Sequence, residues 1–209
     1  MSWIDKIAFY RNIRSETPNQ ELAKELAETN NKEGIKEIAG YLFDKNSSVA
    51  SDCLKVLYEI GYIKPELIEE YTETFLGLLK SKNNRMVWGG MIALATVSQL
   101  QAETIGKQIE LVLTTMKKGT LITEVWGIKA LVGISVKSDK YKEQLLPVLF
   151  DYLEKCRPID FATRVETILP VITSSEENEI IEKIIAMKIS ELSDSQTKKL
   201  NTVLKRRKK

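Results

Sequence analysis

Histidine is absent from the 209-residue chain. Its absence removes Ser-His-Asp and Cys-His nucleophile pairs, HExxH zinc sites and the imidazole general base. Cysteine is almost as scarce. Cys53 and Cys156 stand far apart with no second cysteine near either, so neither zinc spacing nor a CxxC redox pair is present. No cofactor and no metal are expected, and a structural disulfide is not expected in a cytoplasmic setting. Long apolar runs are missing too. The longest nearly uncharged stretch, residues 86–100, contains Gly89 and Gly90 and falls short of the roughly 20 residues of a spanning helix, so it reads as a buried helix rather than a membrane segment. The opening residues place Asp5 and Lys6 where a secretory signal would carry its apolar core. A cytoplasmic protein is expected.

An excess of one charge is lacking as well. The 31 basic and 29 acidic residues leave a net charge of +2, and the last five residues, Lys205 to Lys209, are all basic, so residues 1–204 carry −3. A folded surface that grips nucleic acid needs many basic groups against phosphates, and this body offers no such footprint. Nucleic acid is therefore expected to associate weakly, if at all, and only through the basic tail at 205–209. Hydrophobic residues make up 43% of the chain, enough for a folded core and unlike a disordered chain.

What is present is a repeat. Val49, Cys53, Val56, Leu57 and Ile60 form an apolar series followed by Gly61. Met86, Gly90, Ala93, Leu94 and Val97 repeat the spacing before Ser98, and Thr123, Gly127, Ala130, Leu131 and Ile134 repeat it before Ser135. A fourth copy runs through Phe161, Val165, Ile168, Leu169 and Ile172 to Thr173. Its starts at 49, 86, 123 and 161 lie 37, 37 and 38 residues apart. Offsets of 0, +4, +7, +8 and +11 make one stripe of a 3.6-period helix, which no strand can produce. Each copy is preceded by another helical pattern, over residues 32–43, 65–79, 102–116 and 141–155. The unit is thus a helical hairpin. Pro65 suits a first helical position, Ser48 and Asp160 suit N-caps, and capping-box spacing occurs at Thr17–Gln20, Ser174–Glu177 and Ser193–Gln196.

An apolar helix, a short polar turn and a second helix of the form Val-x-x-x-small-x-x-Ala-Leu-x-x-Ile-Gly resembles the HEAT repeat, best at residues 42–61. The Arg that often follows the first apolar slot of the second HEAT helix is missing. The resemblance implies an all-α, right-handed α-α superhelix of about six antiparallel helix pairs. Its repeats are expected at 31–61, 65–98, 102–136 and 139–173, with capping helices at 3–29 and 175–205. It also implies that the four equivalent helices line a concave face.

Offsets +2, +5, +6 and +9 lie opposite the core stripe. In the first and fourth copies they include Ser51, Lys55, Thr163 and Glu166, whereas the middle copies carry Trp88, Met91, Ile92, Val125, Ile128, Lys129 and Val132. These seven are the candidate binding residues. An apolar centre with polar ends reads as a groove for a partner helix, a peptide or a second copy of the chain; tight curvature that buries the same positions is the other reading. Trp126, at +3, reads as packing between neighbouring helices, Cys53 as inert core filler, and Cys156 as the more exposed of the two thiols. Asp160 and Arg164 suit a local i, i+4 ion pair.

The expected function is a non-catalytic protein-protein interaction scaffold. The alternative is a HEAT-like DNA-binding protein or a relative of the HEAT-like alkylpurine DNA glycosylases, enzymes that use aromatic and acidic residues on a basic concave surface. Trp88 and Trp126 are followed one turn later by Ile92 and Ala130, where such a site would want a carboxylate.

Overall fold

The structure, a computed structural model, describes residues 2 to 207, of which the side chain of Arg207 is left aside. Lys208 and Lys209 of the basic tail lie outside the described residues. Every regular element among the described residues is helical, with no strand. The chain is all-α, as the 3.6-residue stripes require. Two compact units divide it, Met1–Ala130 and Leu131–Lys209.

The first unit contains α1 (Thr17–Glu28), α2 (Lys32–Gly40), α3 (Ser47–Ile63), α4 (Thr72–Leu78), α5 (Asn84–Val97), α6 (Ala102–Gly106), α7 (Ile109–Lys118) and the first ten residues of α8 (Leu121–Lys137). Helix α3 packs between α1 and α5, while α2 lies against α3 and α4 against α5. Three asparagines start the helices of this unit. Asn31 accepts from the Gly34 amide at 2.7 Å, Asn46 from Ser48 at 3.0 Å and Asn83 from Arg85 at 3.0 Å. Each satisfies one orphan donor of a first turn. The cap of α3 is therefore Asn46, and Ser48, expected in that role, supplies the amide instead. Between α1 and α2 the chain reverses through Asn30 at φ 50°, with the Asn31 amide reaching back to the Leu26 carbonyl at 3.0 Å. An asparagine here tolerates the left-handed conformation that usually calls for glycine.

The core stripe is buried in all of the first three copies: Val49, Cys53, Val56, Leu57 and Ile60, then Met86, Ala93, Leu94 and Val97, then Thr123, Ala130, Leu131 and Ile134. Small residues let these helices approach. A methyl group at Gly89 would lie 2.6 Å from Leu54 Cδ2, and one at Gly61 would lie 2.8 Å from Thr96 Cβ.

The outer helices are more broken than the periodicity suggests. Residues 65–79 begin as 3-10 turns at Pro65–Leu67 and Glu69–Tyr71 before α4 starts, and residues 102–116 divide between α6 and α7. Pro65 occupies the first position of its turn, where its missing N–H costs nothing. At the N-terminus the expected capping helix over 3–29 is reduced to a 3-10 turn at Ile4–Lys6, a run of turns and bends, and α1. The Thr17–Gln20 capping box does not form, because the residue preceding α1 is Glu16 and its side chain makes no cap bond.

The second unit holds α9 (Asp139–Lys155), α10 (Pro158–Ile168), α11 (Ser175–Lys188) and α12 (Asp194–Arg207). Helix α9 packs against α10 and α11, and α10 against α12. Ser174 caps α11 with a complete capping box, and Ser193 with Gln196 forms the same pair of bonds before α12. Asp160 sits at the third position of α10 rather than capping it, and takes the Arg157 guanidinium at 2.8 Å. The fourth copy of the stripe departs from the others at its +8 slot. Helix α10 ends at Ile168, Leu169 opens a 3-10 turn before Pro170, and Leu169 is only half-buried. Leu169 itself keeps helical dihedrals, but Pro170 has no N–H to donate to the carbonyl four residues earlier and its ring crowds that carbonyl, which ends the α-helix. Both thiols are buried, and Cys156, at 7% against 0% for Cys53, is the more exposed of the two.

Candidate functional site

The seven residues expected to line a groove separate by exposure. Met91, Ile92 and Ile128 are 0%, 5% and 2% exposed, and Val132, in the second unit, 8%. All four are interior packing. Trp88, Val125 and Lys129 remain half-buried and present surface. The +5 slot is sealed in three copies, since Leu54 is buried as completely as Met91 and Ile128. The cause in the first pair is visible. Gly89 has no side chain, so α3 lays Leu54 and Tyr58 directly against α5, and the +5 side chain is covered by a neighbouring helix instead of solvent.

One of several open clefts of the first unit lies toward its N-terminal side. A cleft of about 220 Å³ is lined by the segment 8–16 and by α3 and α5, with Phe9, Lys55, Tyr58 and Trp88 among its walls. The segment is tied down by backbone donors. The Phe9 amide donates to Asp52 Oδ2 at 2.8 Å, and the Ala8 amide to Asn19 Oδ1 at 2.8 Å. Lys55 forms a third tie, with Glu16 at 2.8 Å and Glu59, one helical turn along α3, at 2.7 Å. Burial works against the charge of Lys55, but the bonds to Glu16 and Glu59 more than offset it and hold the ammonium above its ordinary range. It stays charged at any physiological pH.

A row of four rings leaves this cleft. Trp88 lies 6.4 Å from Tyr58, Tyr58 lies 5.9 Å from Tyr62, and Tyr62 lies 5.6 Å from Trp126. These separations fall within the range of favourable aromatic pairs. Two cations stand against the row: Lys55 Nζ lies 4.9 Å from the centroid of Tyr58, its second ring, and Lys129 Nζ 3.6 Å from that of Trp126, its last. Burial pushes the phenols of Tyr58 and Tyr62 upward, so both keep their protons and can donate. The two lysines differ. Lys129 has no carboxylate within ion-pair distance among the described residues, and its burial lowers its pKa. The ring face of Trp126 is its one compensating contact, worth about 0.5–1 kcal/mol.

Sequence periodicity identified Trp88 and Lys129 but not Tyr62, Phe9, Arg14 or Asn19. Tyr62 was within reach of the pattern, because it stands one turn beyond Tyr58 on the same helix face. Phe9, Arg14 and Asn19 meet α3 only through tertiary structure. Trp126, read as packing between helices, does touch Tyr62 of α3, yet it keeps part of its surface exposed.

Several chemistries have no support in this arrangement. No group of three or more His, Cys, Asp or Glu residues among the described residues could hold a metal. Burial first, then the charges of Asp52, Asp44 and Glu37, push the Cys53 thiol far above its ordinary value, which leaves it un-ionised and unreactive. Among the described residues no helix is long and apolar enough to cross a membrane.

No family model matches the chain, and no curated protein matches it. Solved structures do. An engineered protein superimposes with a TM-score of 0.65 at 15% identity, over 98% of this chain and 96% of the other. A second engineered protein gives 0.62 at 17% identity, covering 98% of both chains. A designed armadillo repeat protein, solved in complex with the peptide (KR)4, gives 0.61 at 13% identity over 89% of this chain and 85% of that one. At such identities the likeness speaks for fold alone. The chain has an all-helical repeat fold of the kind these engineered scaffolds share.

Proposed function

We propose that this chain is a non-catalytic protein-interaction scaffold that binds an extended peptide segment of a partner along the ring row from Trp88 to Trp126. The observation that carries the proposal is that row: four half-exposed or buried aromatic rings in contact, flanked by two lysines and opening into a cleft of about 220 Å³. Aromatic side chains with fixed neighbours supply large contact area at low entropic cost, which is what interface anchors require. The designed armadillo repeat protein of similar fold, with its bound (KR)4 peptide, supports the mode of use. The absence of histidine and the un-ionised thiol of Cys53 favour a binding role over chemistry that needs an imidazole base or a thiolate nucleophile. Cytoplasmic action is part of the proposal.

Site-specific photocrosslinking tests it. A benzophenone amino acid at position 88 should capture a discrete partner in the native cell, and the same group at Glu73, exposed on α4, should not. Trp88→Ala combined with Tyr62→Ala should abolish capture from a probe at Val125 while leaving the helical circular dichroism intact. Equal capture at positions 73 and 88, or capture indifferent to the double variant, would remove the ring row from the binding surface.

A further inference from the structure

We infer that the segment taken by this surface is an acidic peptide whose carboxylates enter the cleft between residues 8–16 and α3. This rests on the scaffold reading above and adds the chemistry of the partner. The argument is an imbalance of donors over acceptors. The acceptors around the cleft are engaged: Glu16 and Glu59 on Lys55, and Asp52 on the Phe9 amide. The donors are not. Arg14 and Arg85 line the cleft, both exposed, and neither has a carboxylate within ion-pair distance among the described residues. Asn19, which lines the same cleft, is 1% exposed; its Oδ1 is held by the Ala8 amide, which fixes the amide orientation, and its Nδ2 has no partner among the described residues. A buried amide donor without an acceptor is a cost that a ligand oxygen can relieve.

At the far end of the ring row Lys129 repeats the condition, a half-buried cation with a ring beneath it and no counter-ion among the described residues. A basic segment would meet these cations as like charges and would compete with Lys55 for Glu16 and Glu59 and with the Phe9 amide for Asp52. An acidic one offers bidentate partners to both guanidinium groups. Nucleic acid shares the negative charge, but a phosphate backbone would run past Glu16, Asp52 and Glu59 without donors to answer them, whereas a peptide brings its own N–H groups.

Panning the full-length chain against phage displaying random peptides of about twelve residues decides the sign. The enriched pool should be rich in Asp and Glu beside apolar or aromatic residues. A synthesised member of that pool should lose at least about tenfold in affinity against Arg14→Glu/Arg85→Glu, a variant altered only at exposed positions, and its binding should weaken between about 50 and 300 mM salt. A neutral or basic pool, or an acidic peptide held equally by that variant, overturns the inference. In those cases a pool displaced by Trp88→Ala leaves the scaffold reading standing, while failure to enrich any peptide overturns both. A single-stranded oligonucleotide of roughly 20 bases bound in a way that the same variant abolishes would make the ligand nucleic acid and overturn the peptide assignment.

Discussion

Single side chains set how closely these helices pack. Leu94 and Leu131 occupy the same slot in successive copies, and both are fully buried. Truncating either to alanine should cost about 2–5 kcal/mol in urea denaturation, because rigid helices close the resulting cavity only in part; less than about 1 kcal/mol at both would contradict the register. Gly61 makes the opposite case. An added methyl there would collide with Thr96 and come within 2.9 Å of Ile68 Cδ1, so Gly61→Ala should destabilise by about 1–3 kcal/mol despite its better helix propensity. Residues that the periodicity treated alike also part company at this scale. Ile92→Glu would bury a charge at a 5% exposed position and should unfold the first unit, whereas Trp88→Ala should leave its melting temperature within a few degrees. Thermal melts followed by circular dichroism separate the two outcomes.

Helix ends are where polar sequence signals acted, and they acted unevenly. The box at Ser174 formed with both bonds in place, and Glu177 also takes Lys142 at 2.7 Å. Burial raises the Glu177 pKa, but the Lys142 bond and the Thr173 and Ser174 amides outweigh it, so the net shift is downward. A carboxylate with a depressed folded-state pKa contributes stability above its unfolded value, about 4.3, and loses it as pH falls through the folded one. Acid titration of unfolding should therefore show a loss below about pH 4 that Glu177→Gln removes. At pH 7, Ser174→Ala should cost about 1 kcal/mol. The box expected at Thr17 did not form. Its Ser/Thr-x-x-Glu/Gln spacing is a local pattern, and residues 8–16 were drawn onto α3 by the Phe9–Asp52 and Glu16–Lys55 bonds, which lie far apart in sequence.

Across the whole chain, far-UV circular dichroism should give a strongly helical spectrum with no substantial sheet component; a clear sheet signal would contradict the fold. That outcome follows from periodicity alone. Four stripes of offsets 0, +4, +7, +8 and +11 recur at intervals of 37 or 38 residues, and a buried stripe of that spacing exists only on a helix. The sequence by itself therefore determined helix class, the hairpin unit and the positions of the core stripe except Leu169, where Pro170 ends the helix, but not the core residues off the stripe such as Leu54, Met91 and Ile128. It could not determine which residues off the stripe meet solvent. Met91 and Trp88 are both apolar and both lie opposite the core in one helix, yet one is sealed and the other opens on a cleft. That difference was decided by the tertiary structure: Gly89 admits Leu54 and Tyr58 of α3 on the side of α5 that carries Trp88, and residues 8–16 fold back to complete the cleft there, while Met91 is sealed in the core. The period reports the angle of a side chain about its own helix, while exposure depends on the distance to neighbouring helices, which contacts distant in sequence decide.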